Sequence, residues 1–211
     1  MTTRESLELF LIRHGETEWN RENRMQGWLD SELTGRGRAQ ARTSAKVLAE
    51  FDIHRLFSSP LGRARKTADV IGKHVELQVE VDKRLAECHM GDLAGLTLEE
   101  IQVRFPEEWE ERISNRFNYC PPGGESLTDM ATRVEPFLEA LGALEGHRIA
   151  IVSHGVMGRV IIWHFLKLKP NELVKVRFPN DVIYRLDISQ QSATCEYMVG
   201  TVERAEGLLT N

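Results

Sequence analysis

Leu7-Glu8-Leu9-Phe10-Leu11-Ile12-Arg13-His14-Gly15 is an almost unbroken apolar run that ends in a cation, a histidine and a glycine. A strand buried on one face alternates apolar and polar residues; a strand buried on both faces does not. Leu7 to Ile12 therefore reads as a strand inside a sheet covered by helices on two sides. The layout recurs at Arg148-Ile149-Ala150-Ile151-Val152-Ser153-His154-Gly155 and, more briefly, at Arg55-Leu56-Phe57-Ser58-Ser59. In open α/β sheets, ligands bind beyond the carboxyl ends of the strands. His14 and His154 fall at such ends, each followed by a glycine that lets backbone approach a ligand closely. One such histidine is ordinarily a loop residue or a satisfied core residue. Two on the same sheet edge, one beside an arginine, point to a site.

The intervening segments have helical spacing. Thr34 reads as an N-cap, with Leu33, Gly37, Ala41, Leu48 and Phe51 on one helix face. Ser59-Pro60 reads as an N-cap followed by proline at the first helical position, and Ala64, Ala68 and Ile71 form the stripe of that helix. Leu77 to Val81 is a further strand candidate, and short helices fit 98–105 and 107–113. Ser126 with Asp129 resembles a capping box for a helix through Leu127, Met130, Val134, Phe137 and Leu141, which Pro136 should kink or restart. Gly155 to Leu166 reads as a helix, and 182–188 and 194–199 as edge or antiparallel strands. This alternation predicts one α/β domain over residues 1–211. It has three layers, a largely parallel central sheet with helices on both faces, and a small helical cap at about 88–122.

The chain of 211 residues carries a formal charge of −5, so neither nucleic acid nor an anionic membrane is favoured as a general partner. No apolar run approaches the ~20 residues of a membrane helix, and Met1 to Arg4 lacks the features of a signal peptide. The cysteines, Cys88, Cys120 and Cys195, show neither disulfide nor metal-ligand spacing, which suits a reducing, cytoplasmic setting. Assembly is left open, a homodimer included.

A third strand end carries an oddity. In Gly62-Arg63-Ala64-Arg65-Lys66, cations crowd the start of a helix, where the dipole favours anions. A bound phosphate would reverse the sign of each interaction. Arg65 and Lys66 read as solvated, and Arg63 as a phosphate ligand. Glu87 is not selected by local pattern, and Glu16, Asn20, Arg24 and Gln26 are polar candidates without a ranking.

These residues together resemble the histidine phosphatase superfamily, which includes cofactor-dependent phosphoglycerate mutases and many small-molecule phosphatases. The resemblance runs in order through Arg13-His14-Gly15-Glu16-Thr17, Trp19-Asn20, Gln26-Gly27, Leu33-Thr34 with Gly37, Ser58 to Ala64, Thr67-Ala68, Glu87 with Gly91 and Gly95, Gly123 to Ser126, and Ser153-His154-Gly155. It implies that His14 attacks phosphorus and becomes phosphohistidine. Arg13, Arg63 and His154 would form a cationic clamp on the phosphoryl oxygens. Asn20 would add a neutral hydrogen bond, with Gln26, Gly27 and Gly155 beside the phosphate. Glu87 would protonate the leaving oxygen and then activate water. A backbone carbonyl near Gly15 would keep His14 neutral on its attacking nitrogen. No metal and no cofactor are implied.

Mutases of this kind carry Arg-His-Tyr-Gly after the acid, where this chain reads Cys88-His89-Met90-Gly91. The stretch 115–122 also lacks a paired-arginine lid. Both departures favour a phosphatase that hydrolyses a small phosphorylated metabolite over a phosphoglycerate mutase. Three rivals remain: a metallohydrolase using His14, His154, Glu16 and Glu87, a non-catalytic phospho-ligand binding module, and a phosphatase of phosphoproteins.

Overall fold

Strand β1 (Leu7–Arg13) lies between two partners, parallel to β4 (Arg148–Ser153) and antiparallel to β5 (Val182–Ile188). The structure is a computed structural model and describes residues 6–142, 144–201 and 203–210. Met1 to Arg4 lie outside the described residues. Leu7, Leu9 and Leu11 enter one apolar cluster, and Phe10 and Ile12 enter another on the opposite face. That is the two-sided burial implied by an apolar run without alternation. Each fully buried Leu, Ile or Phe contributes roughly 1.5–3 kcal/mol.

The sheet of described residues has the order β3-β2-β4-β1-β5-β6-β7, with β2 (Arg55–Ser58), β3 (Val79–Val81), β6 (Ala193–Val199) and β7 (Glu203–Glu206). Pairing is parallel from β3 to β1 and antiparallel from β5 to β7. The expected parallel sheet is thus its central and β3-side part, extended by an antiparallel meander. Helices α2 (Gly35–Leu48) and α3 (Gly62–Val75) pack on one face; α6 (Leu127–Gly142) and α7 (Gly155–Leu166) pack on the other. The result is a single three-layer α/β domain. The described helices include none long and apolar enough to cross a membrane.

Some boundaries differ from expectation. Helix α3 starts at Gly62 with Leu61 as N-cap, not at Pro60. Leu77 belongs to the end of α3 rather than to β3: Glu76 is left-handed (φ 56°) and the Leu77 N–H returns to the Gly72 carbonyl. Helix α6 runs unbroken through Pro136. The short helices α1 (Glu18–Arg21) and α8 (Pro170–Leu173), and strand β7, give too little periodicity to be read from sequence. Between β3 and α6, α4 (Leu98–Arg104) and α5 (Pro106–Ser114) form as expected.

Register places the site. Arg13 pairs with Ser153, and Ser58 with Val152. His14, His154 and Ser59 therefore leave the sheet side by side at its carboxyl edge.

Candidate active site

His14 is buried, and two contacts fix its tautomer. Its Nδ1 lies 2.8 Å from the Gly15 carbonyl, which can only accept, so Nδ1 bears the proton. Arg63 Nε donates to His14 Nε2 at 3.2 Å, so Nε2 presents its lone pair. Burial, then Arg63 and Arg13, holds the imidazole well below the ordinary histidine value, against the opposing Gly15 bond. The expected carbonyl at Gly15 is therefore in place. The glycine itself is required by packing: a Cβ at Gly15 would lie 2.3 Å from the Gly37 carbonyl oxygen. The close approach is to α2 rather than to a ligand. The loop is further tied by Gly15 N–H to Thr67 Oγ1 and by Asn180 Nδ2 to the His14 carbonyl.

Arg63 is 1% exposed, a rarity for arginine. Its guanidinium donates to the Gly27 and Leu29 carbonyls, to Asp30 and to His14. Asp30 also accepts from the Arg63 N–H at the start of α3. The anion that the crowded helix start demanded is thus supplied first by Asp30 of the chain itself. Arg65 and Lys66 pair outward with Asp69 and Glu32, as expected of solvated residues.

His154 lies with its ring centroid 5.2 Å from that of His14. Its Nε2 lies 2.7 Å from Ser59 Oγ. Burial, then Arg63, His14 and Arg13, keeps it well below the ordinary value. Of the three members of the expected clamp, Arg13 and Arg63 are the guanidinium groups, and His154 is the imidazole whose charged form burial disfavours. Ser59 Oγ also accepts from the Leu61 N–H, ahead of α3, so it bridges this histidine to the entry of the helix.

Arg13 donates through Nη1 to the Phe178 carbonyl. Asn20 accepts through Oδ1 from the Thr17 N–H, within the capping box of α1. Gln26 donates to Thr17 Oγ1. Gly27 has φ 53° and turns its carbonyl to Arg63. Among the described residues, the buried side-chain N and O atoms without a partner are Arg13 Nε, Gln26 Oε1 and His154 Nδ1. All belong to residues singled out from the sequence, and such orphans need a reason. A cavity of about 460 Å³ is lined by Arg13, His14, Asn20, Gln26, Gly27, Arg63, Glu87 and Gly155. His154 lies behind His14 and is not among the lining residues.

Glu87 is the one carboxylate among the residues lining this cavity. Its Oε1 accepts from the Cys88 and Met157 N–H groups and its Oε2 from the Val156 N–H. It thus faces the N-terminus of α7, one residue beyond Gly155. Glu16 instead accepts from Thr34 and lies near Arg36. Among the described residues, no group of three or more His, Cys, Asp or Glu could hold a metal ion.

Sequence reasoning missed much of the wall. Arg112, Arg116, Arg159 and Arg177 line the cavity, and among the described residues none forms an ion pair. Burial, then repulsion from Arg116, holds Arg112 below the ordinary guanidinium value; burial also lowers Arg159, with Glu87 opposing and Arg116 and Arg112 adding to it. Stretch 115–122 has no adjacent arginine pair, but Arg112, on α5, and Arg116, two residues beyond its end, both line the cavity. Cys88 and His89 are taken up by the turn at 123–125, which leaves Met90 on the wall.

The chain matches the model of the histidine phosphatase superfamily (branch 1) over residues 9–200. It is 36% identical over 186 residues to a "Probable phosphoglycerate mutase GpmB" of Erwinia tasmaniensis, covering 87% of this chain and 86% of that one. Among solved structures, a mycobacterial glucosyl-3-phosphoglycerate phosphatase in complex with VO3 superposes with a TM-score of 0.81 at 34% identity. That match covers 93% of this chain and 99% of the other. The alpha-ribazole phosphatase of Shigella flexneri gives 0.82 at 26% identity, covering 96% and 100%. The chain therefore belongs to branch 1 of the histidine phosphatase superfamily.

Proposed function

We propose that the protein is a phosphatase that hydrolyses a small-molecule phosphomonoester through a phosphohistidine at His14, without a metal ion. The observation that carries this reading is the fixed tautomer of His14, with its Nε2 lone pair beside Arg63 in a cavity holding a single lining carboxylate. In the first step Nε2 bonds to phosphorus, the ester P–O bond breaks, and the leaving oxygen takes a proton from Glu87. In the second step water attacks phosphorus, the P–N bond breaks, and Glu87 takes the water's proton. Arg13 Nε and Arg63 face the charge that spreads over the phosphoryl oxygens, with His154 as a neutral neighbour and Asn20 and Gln26 at the rim. The segment at about 88–122 acts as the cap, and it contributes Arg112, on α5, and Arg116, just beyond it.

Hydrolysis is favoured over isomerisation because Cys88, turned to the Glu125 carbonyl, and Met90, on the cavity wall, stand where the mutases carry arginine and tyrosine. The arginine wall favours a substrate with a second anionic group, and it is also the observation on which the mutase reading draws. With 3-phosphoglycerate and a bisphosphoglycerate primer, inorganic phosphate should appear faster than the 2-phospho isomer; faster isomerisation establishes the mutase instead. Exhaustive EDTA treatment should leave turnover unchanged, whereas loss restored by Zn²⁺ or Mg²⁺ assigns a metallohydrolase.

The wall makes its own prediction. 3-Phosphoglycerate and glycerol 3-phosphate differ by a carboxylate against a hydroxymethyl group. Charge-assisted hydrogen bonds are worth about 1.5–3 kcal/mol, so kcat/KM should favour the carboxylate by roughly 10- to 100-fold. Equal values for the two esters would mean that the arginines do not read the substrate.

A further inference from the structure

Residues 86–90 present Glu87 to the site from a stretch outside the sheet, between the 3-10 turns Lys83–Leu85 and Gly91–Leu93. Such a stretch has no ladder to hold it, yet a general acid must be placed to well within an ångström. We propose that Arg133, on α6, is the positioning residue of Glu87, gripping the backbone on both sides of it through Glu125; this rests on Glu87 being the acid and base.

The guanidinium is saturated. Nη1 donates to the Arg84 carbonyl at 2.7 Å and to the Ala86 carbonyl at 3.2 Å. Nη2 donates to the Glu87 carbonyl at 3.2 Å. The remaining N–H groups, on Nε and Nη2, form a two-point pair with Glu125 at 2.8 and 2.9 Å. Arginine has five N–H donors in one plane, and each has an acceptor here. Glu125 carries the grip past Glu87: its Oε2 accepts from the His89 N–H, and its own N–H donates to the His89 carbonyl. Carbonyls 84, 86 and 87 and both backbone groups of residue 89 are thus fixed by one ion pair. Arg133 is not among the residues lining the 460 Å³ cavity, so its influence on chemistry runs through Glu87. Trp28 Nε1 adds a bond to the same Glu87 carbonyl from the loop that Arg63 holds. A lysine could keep the charge but not the planar fork.

The test is a double-mutant cycle on the phosphorylation step, read by single turnover with an alkyl phosphate and with p-nitrophenyl phosphate. A misplacement near 1 Å costs on the order of 10²-fold where geometry matters. Arg133→Met should therefore slow the alkyl ester by roughly 10- to 100-fold, in kcat rather than KM, and the nitrophenyl ester several-fold less. Arg133→Lys should recover only a small part of the loss. In the Glu87→Gln background, Arg133→Met should add little. Equal slowing of both esters, multiplicative losses in the double variant, or a lowered Tm with intact rates would each overturn the proposal. If Arg133→Met does not fold, Glu125→Gln, which breaks one arm of the fork, takes its place in the cycle. Glu87→Gln slowing both esters equally sinks the acid while the cycle still reports the coupling. Wild-type rates in Glu87→Gln sink both.

Discussion

His14→Ala should lose at least about 10³-fold in turnover, the scale seen when a nucleophile is removed from an otherwise intact site. The acid-labile label that a phosphorylated substrate leaves on the wild type should vanish with it. The binding groups survive the substitution, since Arg13 is held by the Phe178 carbonyl, Asn20 by Thr17, and Arg63 keeps its bonds to Gly27, Leu29 and Asp30. KM or product inhibition by phosphate should accordingly change far less than kcat. A variant with more than about 1% of wild-type turnover would show that His14 is not the nucleophile.

The same histidine makes a pH prediction. Attack requires the neutral ring. Burial, Arg63 and Arg13 depress the folded-state value well below 6.5. Acidification through 6.5 therefore leaves the nucleophile unprotonated, and kcat/KM for p-nitrophenyl phosphate should not fall there in proportion to ordinary imidazole protonation. Stability runs the other way. The unfolded chain takes up protons at His14 and His154 below 6.5 while the folded chain does not, so the contribution of both residues is present above 6.5 and declines on acidification.

What could be read from the sequence follows the range of the forces involved. β1, β4 and the helix after His154 were legible because apolar period and length are local, and parallel register then brings His14 and His154 together. Arg63 was legible as an electrostatic misfit, but the partner that resolves the misfit, Asp30, lies 33 residues away, and no local rule connects them. Ser59-Pro60 looks like a cap and first helical position, but the helix starts two residues later, and Ser59 Oγ meets both the Leu61 N–H and the buried His154. Arg159 was hidden inside an apolar helix, although it sits one turn after Gly155 and bonds its carbonyl. Arg112 and Arg116 lie in a polar segment without a pattern to single them out, and only tertiary packing brings them to the cavity. Glu87 could not be chosen locally, because its surroundings are built by α7 and by Arg133, 69 and 46 residues distant.

Glu87→Gln separates a general acid from a carboxylate that merely caps a helix. An alkyl leaving group departs as a strongly basic alkoxide unless protonated, whereas nitrophenolate leaves with little help. A positioned acid is worth on the order of 10²–10⁴ in rate, and only where the leaving group needs the proton. Phosphorylation by an alkyl phosphate should therefore slow by about that factor in Glu87→Gln, and phosphorylation by p-nitrophenyl phosphate far less. The substitution has a second effect, because the amide keeps one acceptor oxygen but turns an NH₂ toward either Val156 N–H or Met157 N–H. Loosening the start of α7 slows both esters alike, so the ratio of the two losses isolates the proton transfer. Dephosphorylation needs separate measurement, since Glu87 assists water there and that step is common to both substrates; burst or single-turnover kinetics supplies it. Equal slowing of both phosphorylation rates would remove Glu87 as the acid. Its replacement would then have to be sought among Glu16, His89 and Glu125, which are outside the cavity lining and bonded to Thr34, to the Gly123 carbonyl and to Arg133.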